Sequence, residues 1–412
     1  LDVSPRSDGT LLIFAGKVVL ERLGEKLTCE RIECVLDDGP KGDKTCRSLQ
    51  ASGKVVRTLN GQTLQGDTAF FDQANERLTV TGAVRLTEPG LQADGQQLEH
   101  DAKANVTRLV AAEGKRVYLK STRLGREASE AYGKTALITR DVKADLRVLQ
   151  LDGAAEFTSE QGKVSAQRLI ATDSRLQGDV LSGEGEVQGS ADGNLFKAGK
   201  ARWDLTRQEL QLDGRPRLIE PRGFEVAGAS IRSDIRKQQV SVTSSPEERA
   251  SVTLPAVDVD GPMGLAQADR IFLSNEAGAA EVDLAGNVLY ASGDVHTESQ
   301  RMVAYAAAPL IKGKPSRLVL QKVFLTGAVR YGQPGLRCSA ERIDYVPAVQ
   351  IEEILKKDNL LGQPRLLTLS GGAAETRPRL GVDFSNGKSA EFIADAQEIL
   401  ATPKMTKFFL RG

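Results

Sequence analysis

The 412-residue sequence has few cysteines, few aromatic residues and no excess of charge of either sign. Its 55 Lys and Arg residues balance 55 Asp and Glu residues, so the basic excess that is typical of nucleic-acid-binding proteins is absent. No run of about 18 apolar residues occurs, which excludes a membrane-spanning helix from this sequence. Forty glycines combined with 5% aromatic residues favour many short strands and tight turns over a helical bundle.

Sequence patterns for catalysis and for metal binding are also missing. The two histidines, His100 and His296, do not stand at metal-ligand spacing from a cysteine or from each other. We expect both of them at solvent-facing strand positions. There is no G-x-S-x-G motif and no P-loop. The sequence therefore predicts a protein that is not an enzyme and that uses no metal and no cofactor.

The four cysteines contain no C-x-x-C pair, so a structural zinc site is not expected. Cys29, Cys34 and Cys46 lie close together in the sequence, whereas Cys338 stands alone. In an oxidising compartment Cys46 could form a disulfide with Cys34 or with Cys29. The pair that we predict is Cys34 and Cys46, and buried free thiols are the alternative.

The strongest pattern is an internal repeat in which apolar residues alternate with polar ones around a central glycine. In the segment 78–86, four apolar residues flank Gly82 at even positions, which predicts a half-buried strand with the glycine on its apolar face. Ten further copies follow this frame, two of them degenerate. The eleven centres are residues 16, 53, 82, 114, 153, 185, 214, 244, 286, 327 and 371.

A second type of strand follows each centre, as in the segments 64–72 and 91–101. Eleven pairs predict roughly 22 strands, whereas chance alternation in an ordinary β-sandwich would not keep this paired pattern. The central glycine fits a sharp bend that curls the sheet around an interior. If each pair adds one strand to each of two sheets, the stack rises about 4.8 Å per repeat and spans on the order of 50 Å.

These patterns predict an all-β fold, an elongated β-jellyroll or β-taco built from about eleven two-strand repeats. Such units cannot bury their apolar faces alone and must stack on their neighbours. We expect residues 1–412 to form one continuous domain, with a softer junction near residues 244–263.

The apolar faces of the strands are predicted to line a groove that holds acyl chains; a filled core is the alternative. The residues expected to line the groove are Phe14, Val18, Leu78, Val80, Val84, Leu86, Leu91, Leu149, Leu151, Phe157, Val187, Leu210, Leu212, Leu218, Val288, Leu325 and Val329.

The paired strands resemble a known family. Units such as 78–86 followed by Leu91-Gln92-Ala93-Asp94 resemble the OstA-like repeats of the bacterial lipopolysaccharide-transport system, which includes LptA, LptC and the N-terminal domain of LptD. The step from a small residue to Asp recurs at Ala268-Asp269 and Ala394-Asp395, and the resemblance covers nearly the whole chain. The sequence has more repeats than the small bridge protein of this system. It contains neither the membrane helix of LptC nor the barrel of LptD.

The resemblance implies a periplasmic bridge or chaperone that shelters the acyl chains of lipopolysaccharide on the way to the outer membrane. It also implies end-to-end strand pairing with other bridge subunits, and membrane association through a partner or through a segment outside this sequence. Two alternatives remain open. One is a phospholipid-carrying β-groove protein of the AsmA or TamB kind, and the other is a structural or adhesive β-solenoid with a filled core.

Overall fold

A computed structural model describes most of the chain, and the described residues contain strands and no helix. This confirms the predicted all-β fold class. No helix among the described residues is long and apolar enough to cross a membrane. The described residues are 1–6, 9–22, 24–38, 44–122, 128–141, 143–174, 178–256, 262–276, 279–307, 310–311, 314–315, 318–347, 365–371, 378–383, 389–393, 398–401 and 408–411.

The chain divides into two compact units. Unit 1 contains Leu1–Asp192 and Gly199–Gln208, and unit 2 contains Gly193–Ala198 and Glu209–Gly412. That residues 1–412 form one continuous domain stays a prediction.

The strands of unit 1 are β1 (Asp2–Arg6), β2 (Gly9–Arg22), β3 (Glu25–Asp38), β4 (Lys44–Leu59), β5 (Gln62–Asp72), β6 (Arg77–Glu88), β7 (Leu91–Asp101), β8 (Val106–Val110), β9 (Val117–Ser121), β10 (Ser129–Gly133), β11 (Thr135–Asp141), β12 (Leu146–Ser159), β13 (Gly162–Ser174) and β14 (Val180–Ala191). The next strand, β15 (Asn194–Asp204), contains residues of both units.

The strands of unit 2 are β16 (Glu209–Asp213), β17 (Arg217–Ile219), β18 (Glu225–Ala227), β19 (Ser230–Asp234), β20 (Gln239–Thr243), β21 (Ala250–Leu254), β22 (Gly264–Ala268), β23 (Arg270–Glu276), β24 (Ala279–Ser292), β25 (Val295–Ala307), β26 (Leu310–Ile311), β27 (Lys314–Pro315), β28 (Val319–Gln333), β29 (Leu336–Pro347), β30 (Arg365–Ser370), β31 (Arg379–Asp383), β32 (Ser389–Ile393), β33 (Glu398–Ala401) and β34 (Phe408–Arg411).

Each long strand pairs antiparallel with the strand before it and the strand after it. Strand β6, for example, pairs with β5 and with β7 on both sides of its central glycine. A repeat therefore adds two neighbouring strands, and its rise is about 10 Å rather than the 4.8 Å expected from the sequence. The predicted rise per repeat was wrong because it assumed that each strand belongs to a single sheet, whereas one strand contributes to both sheets.

The central glycines of the long strands produce this arrangement because they lie at bends in those strands. In β12, Asp152 pairs with Arg168 and Ala155 pairs with Ala166, so Gly153 and the next residue oppose a single residue of β13. This is a β-bulge, which bends a strand and increases its twist. Both bulge residues have positive φ, 81° at Gly153 and 49° at Ala154, and glycine adopts such angles without strain.

The bend glycines do not lie on the apolar face. The alternation of apolar and polar residues had predicted that they would, and this prediction was wrong. Gly53, Gly82, Gly153, Gly185 and Gly286 are all partly exposed. A side-chain carbon added at any of them would meet a polar or charged side chain of a neighbouring segment. The alternation alone gave the wrong face because the bulge inserts one extra residue, which changes the face of the strand on which the residues at that point lie.

The bends divide the strands β5 to β14 into two sheets. Sheet A contains residues 68–72, 77–81, 97–101, 106–110, 135–141, 146–152, 168–174 and 180–184. Sheet B contains residues 62–66, 84–88, 91–95, 117–121, 129–133, 155–159, 162–166 and 188–191.

Unit 2 is built in the same way. Strand β24 bends at Gly286 and β28 bends at Gly327, each with a register shift and with positive φ at the glycine and at the residue after it. The centres at Gly214 and Ser244 lie between two short strands, β16 and β17 in the first case and β20 and β21 in the second. Alternate residues of these strands are buried, so each strand keeps one face in the interior of the unit.

Candidate functional site

The inner faces of sheets A and B enclose an apolar interior in unit 1. Leu149 and Leu151 lie before the bend of β12 and Phe157 lies after it, yet all three line the same space. The two halves of one strand therefore face each other. The remaining lining residues come from both sheets and are Leu119, Ser121, Ser129, Ala131, Leu169, Ala171 and Leu181.

Around these ten residues the interior is filled by its own side chains. The cavity between the sheets measures about 10 Å³, which is roughly the space that one water molecule requires. An acyl chain would therefore have to separate the two sheets before it could enter.

Fifteen of the seventeen residues predicted to line a groove are buried. Phe14 and Val18 are only half-buried, because they lie in β2, which β1 covers over residues 9–13 alone. Nine of the others lie in unit 1 and six lie in unit 2. Those in unit 1 are Leu78, Val80, Val84, Leu86, Leu91, Leu149, Leu151, Phe157 and Val187; those in unit 2 are Leu210, Leu212, Leu218, Val288, Leu325 and Val329. That they bind lipid stays a prediction.

A group of charged residues lies on the side of unit 1 opposite the bends, which we call the mouth. Glu88 ends the sheet B part of β6, and Arg140, Arg147 and Asp173 lie near the ends of three adjacent strands of sheet A. All four lie on the inward-facing side of their strands, and each is two residues away from an apolar residue of the interior. The sequence did not predict this group, because the alternation shows these positions only as polar residues on an otherwise apolar strand face.

Ion pairs connect these four residues across the mouth. Arg147 Nη1 lies 3.1 Å from Glu88 Oε1, and Arg147 Nη2 lies 2.7 Å from Asp173 Oδ2. Arg140 also pairs with Glu88, and Gln62 Nε2 donates a hydrogen bond to Glu88 Oε2 over 3.1 Å. The side chains of Glu88 and Arg147 are 5% and 6% exposed, so the pairs are shielded from water.

His100 lies on the same side of sheet A, and here the expectation of a solvent-facing histidine was wrong. Its ring is half-buried, and Nδ1 lies 3.0 Å from Thr107 Oγ1. Burial lowers the pKa of His100, and the positive charges of Arg57 and Arg140 lower it further, because both disfavour the imidazolium. His296 is exposed, as predicted.

Unit 2 has a related arrangement at the corresponding strand ends, in which an amide side chain lies between a carboxyl group and an arginine. Glu220, which follows β17, is 5% exposed, and Asn275 at the end of β23 donates a hydrogen bond to its Oε2 over 3.0 Å. Arg222 Nη1 donates to Asn275 Oδ1 over 3.3 Å. Burial raises the pKa of Glu220, and the hydrogen bond from Asn275 and the charge of Arg222 offset this only partly.

The Glu220→Gln variant is expected to make unit 2 more stable near neutral pH. A carboxyl whose pKa is raised on folding stabilises the protein when protonated, and this contribution is lost as pH rises from the ordinary value of 4.5 through the folded value. The wild type should therefore lose stability over that range and the variant should lose less. Urea unfolding followed at a series of pH values measures the difference. Glu225→Gln, which removes a carboxylate of the same unit at a surface ion pair, is the control variant and is unfolded over the same pH series.

The predicted cysteine pair is close but not bonded. Cys34 Sγ lies 3.1 Å from Cys46 Sγ, and both residues are free thiols in this structure. Burial raises the pKa of the Cys34 thiol to about 12, and the neighbouring Cys46 thiol contributes to the shift. Cys29 instead donates to the carbonyl oxygen of Arg31. The disulfide stays a prediction.

Oxidation is expected to join Cys34 to Cys46 and to leave Cys29 unpaired. The two sulfur atoms need to approach by only about 1 Å to reach disulfide length, and closing this short loop would stabilise unit 1 by about 2–4 kcal/mol. Peptide mapping by mass spectrometry without reduction identifies the linked peptides, and Cys46→Ser is the control. A linkage from Cys46 to Cys29 would contradict the prediction.

The described residues contain no group of His, Cys, Asp and Glu side chains that could hold a metal ion. What they do contain is an apolar interior with a charged mouth. Such a site suits an amphiphile, whose chain contacts apolar side chains while its polar group stays at the edge.

Comparison with known proteins locates the resemblance in this part of the chain. Residues 63–177 match the family model described as LptA/(LptD N-terminal domain) LPS transport protein. This confirms the resemblance predicted from the repeats, over a segment that lies within unit 1. It spans the described strands from β5 to β13 and contains Phe157 and the four ion-paired residues at the mouth. No curated protein matches the chain.

Proposed function

We propose that this protein is a periplasmic lipid-binding bridge or chaperone that shelters the acyl chains of lipopolysaccharide between sheets A and B. The observation that carries the proposal is the apolar interior between two bent sheets, in the segment that matches the lipopolysaccharide-transport family model. The protein binds its lipid and does not react with it.

The hydrophobic effect supplies enough free energy to hold an acyl chain in this interior. Burying one CH₂ group is worth about 0.8 kcal/mol, so a 12-carbon chain gains roughly 9 kcal/mol. Part of this gain is spent on separating side chains such as Leu151 and Phe157, which line the same closed interior from its two sheets. The bends at the glycines give the two sheets a place about which to open, since positive φ costs glycine little.

The first strands offer an edge at which another bridge subunit can pair. Strand β1 covers β2 only at residues 9–13, and Val18–Arg22 pair with β3 alone among the described residues. Val19 and Leu20 are exposed there. An unpaired strand edge with exposed apolar side chains favours the addition of a partner strand, which is how we propose that the subunits meet end to end.

Photo-cross-linking tests whether the lipid lies inside. A benzophenone amino acid replaces Phe157, which lines the interior, or Phe70, which is 45% exposed on the outer face of sheet A. Both variants are produced in the periplasm of a Gram-negative cell and irradiated, and the adducts are probed for lipopolysaccharide. We expect a cross-link at position 157 and none at position 70.

Mass spectrometry of an organic extract of the purified wild type identifies the lipid. Lipopolysaccharide supports the proposal, and phospholipid in its place would assign the protein to the phospholipid carriers. A cross-link at position 70 alone would place the lipid on the outer surface and contradict the proposal. A lipid-free protein with no cross-link at either position would make the filled interior the core of a structural β-solenoid.

A further inference from the structure

The charged residues at the mouth raise a question of their own, because burying them is costly. The attraction within a buried ion pair is largely offset by the loss of hydration, and apolar residues of similar size often stabilise a protein as well or better. A buried pair therefore stabilises its own fold weakly. The pairs of Glu88 with Arg140 and Arg147 thus call for a role other than stability.

These pairs form only when the two sheets are closed. Strand β6 pairs with β5 and β7, whereas β12, which carries Arg147, pairs with β10, β11 and β13. Because β6 is not a neighbour of β11 or β12 in either sheet, Glu88 reaches Arg140 and Arg147 only across the gap between the sheets. Separating the sheets breaks these contacts, while Arg147 and Asp173 stay together on adjacent strands of sheet A.

Opening the mouth therefore takes the Glu88 carboxylate away from Arg140 and Arg147, which stay on sheet A. Arg140 and Arg147 together carry two charges, and Asp173 neutralises one of them. In addition, Arg147 Nε is buried and has no hydrogen-bond partner among the described residues. The two arginines lie on neighbouring strands and can thus bind an anion with several oxygen atoms in the place of the Glu88 carboxylate. Arginine binds phosphate well because its N–H donors match the geometry of the phosphate oxygens.

The residues next to the two arginines indicate what kind of molecule would carry this anion. Leu149 lies two residues inward from Arg147, Ile138 lies two residues inward from Arg140, and both are buried in the interior. A ligand held by the arginines would therefore have an apolar chain directly behind its charged group. In unit 2 the corresponding Glu220 is paired with Asn275 and not with arginine, so no comparable anion site is present among the described residues there.

We propose that Arg140 and Arg147 form a binding site for the phosphate group of an amphiphile, and that Glu88 occupies this site while the mouth is closed. This inference rests on the proposed function, since the chain of the same molecule lies between the sheets. Glu88 thus acts as an internal competitor, and the phosphorylated lipid replaces it as the sheets separate.

The test compares two amphiphiles with the same chain, dodecyl phosphate and the neutral dodecyl maltoside, below their micelle concentrations. Isothermal titration on the full chain gives Kd for the wild type, Glu88→Gln, Arg140→Gln and Arg85→Gln. Arg85 lies on β6 like Glu88 but pairs with Asp94 on the outer face, so it is the matched control. Inorganic phosphate is titrated separately as the same anion without a chain.

We expect Glu88→Gln to bind dodecyl phosphate at least about tenfold more tightly, because the competing charge is gone. Arg140→Gln should bind it about tenfold or more weakly, as expected for one charge-assisted hydrogen bond. Dodecyl maltoside should bind all four proteins alike. Looser sheets would admit both amphiphiles, so a gain at Glu88→Gln that is confined to dodecyl phosphate separates the site from a merely structural role.

Three results would overturn the inference. Equal binding of both amphiphiles by all four proteins would leave the proposed function standing and remove the phosphate site. Inorganic phosphate bound as tightly as dodecyl phosphate would show a site for free anions and not for a lipid. Failure of the wild type and of Glu88→Gln to bind either amphiphile would contradict the proposed function together with this site.

Discussion

Replacing Phe157 by alanine is expected to lower the free energy of unfolding of unit 1 by about 3–5 kcal/mol. The side chain is 2% exposed and lies between the two sheets, against the leucines that precede the bend of the same strand. Because the interior has almost no free volume, truncation removes apolar contacts and leaves a cavity that the surrounding sheets can fill only partly. Denaturant unfolding followed by circular dichroism measures the loss.

The Phe70→Ala variant is the control for this prediction. Phe70 lies on the outer face of β5 with 45% of its surface exposed, so its removal should change the free energy of unfolding by less than about 1 kcal/mol. Similar losses for the two variants would mean that the interior between the sheets is not the main source of stability. A small loss at Phe157 alone would indicate sheets that close readily over the missing side chain.

The Gly82→Val variant is expected to cost about 2–6 kcal/mol. Gly82 has φ of 103° at the bend of β6, an angle at which a β-branched residue is strained. A Cβ at this position would also overlap the Asp67 side chain of the adjacent strand, which adds the cost of overpacking. Because the bend directs one strand into both sheets, we expect the variant to loosen the closure of unit 1 as well. Hydrogen exchange along β5, β6 and β7 locates the change.

Gly16 separates the two causes because it has nearly the same backbone angle without the close contact. Its φ is 108°, and a Cβ placed there would meet no heavy atom within 4 Å. Gly16→Val should therefore show only the backbone strain, of the order of 1–3 kcal/mol. An equal loss in both variants would assign the whole effect to φ and none to the contact with Asp67.

The strand positions were predictable because a half-buried strand has a side-chain period of two, which can be read directly along the chain. The alternation around Gly82 and Gly153 located bends that the structure places at those residues. The same alternation identified Leu149, Leu151 and Phe157 as interior residues. These features depend on residues that are close in sequence.

The mouth was not predictable in this way. Glu88 and Arg147 are separated by 59 residues and lie on strands that do not pair with each other. Parity gives the face of each strand, but it does not say which strand ends meet when the sheets close. The prediction for His100 was wrong for a similar reason, since its surroundings include Thr107 of the next strand and the charges of the distant Arg57 and Arg140.

The sequence by itself determined the all-β class, the bends at the glycines and the apolar faces, because local periodicity and backbone preference are properties of short segments. Only the tertiary structure decided that one strand serves two sheets, that the space between them is filled, and that four charged residues meet at the mouth. Those features depend on the register shift at each bulge and on the packing of the two sheets against each other. Both arise from contacts between residues that are far apart in the chain.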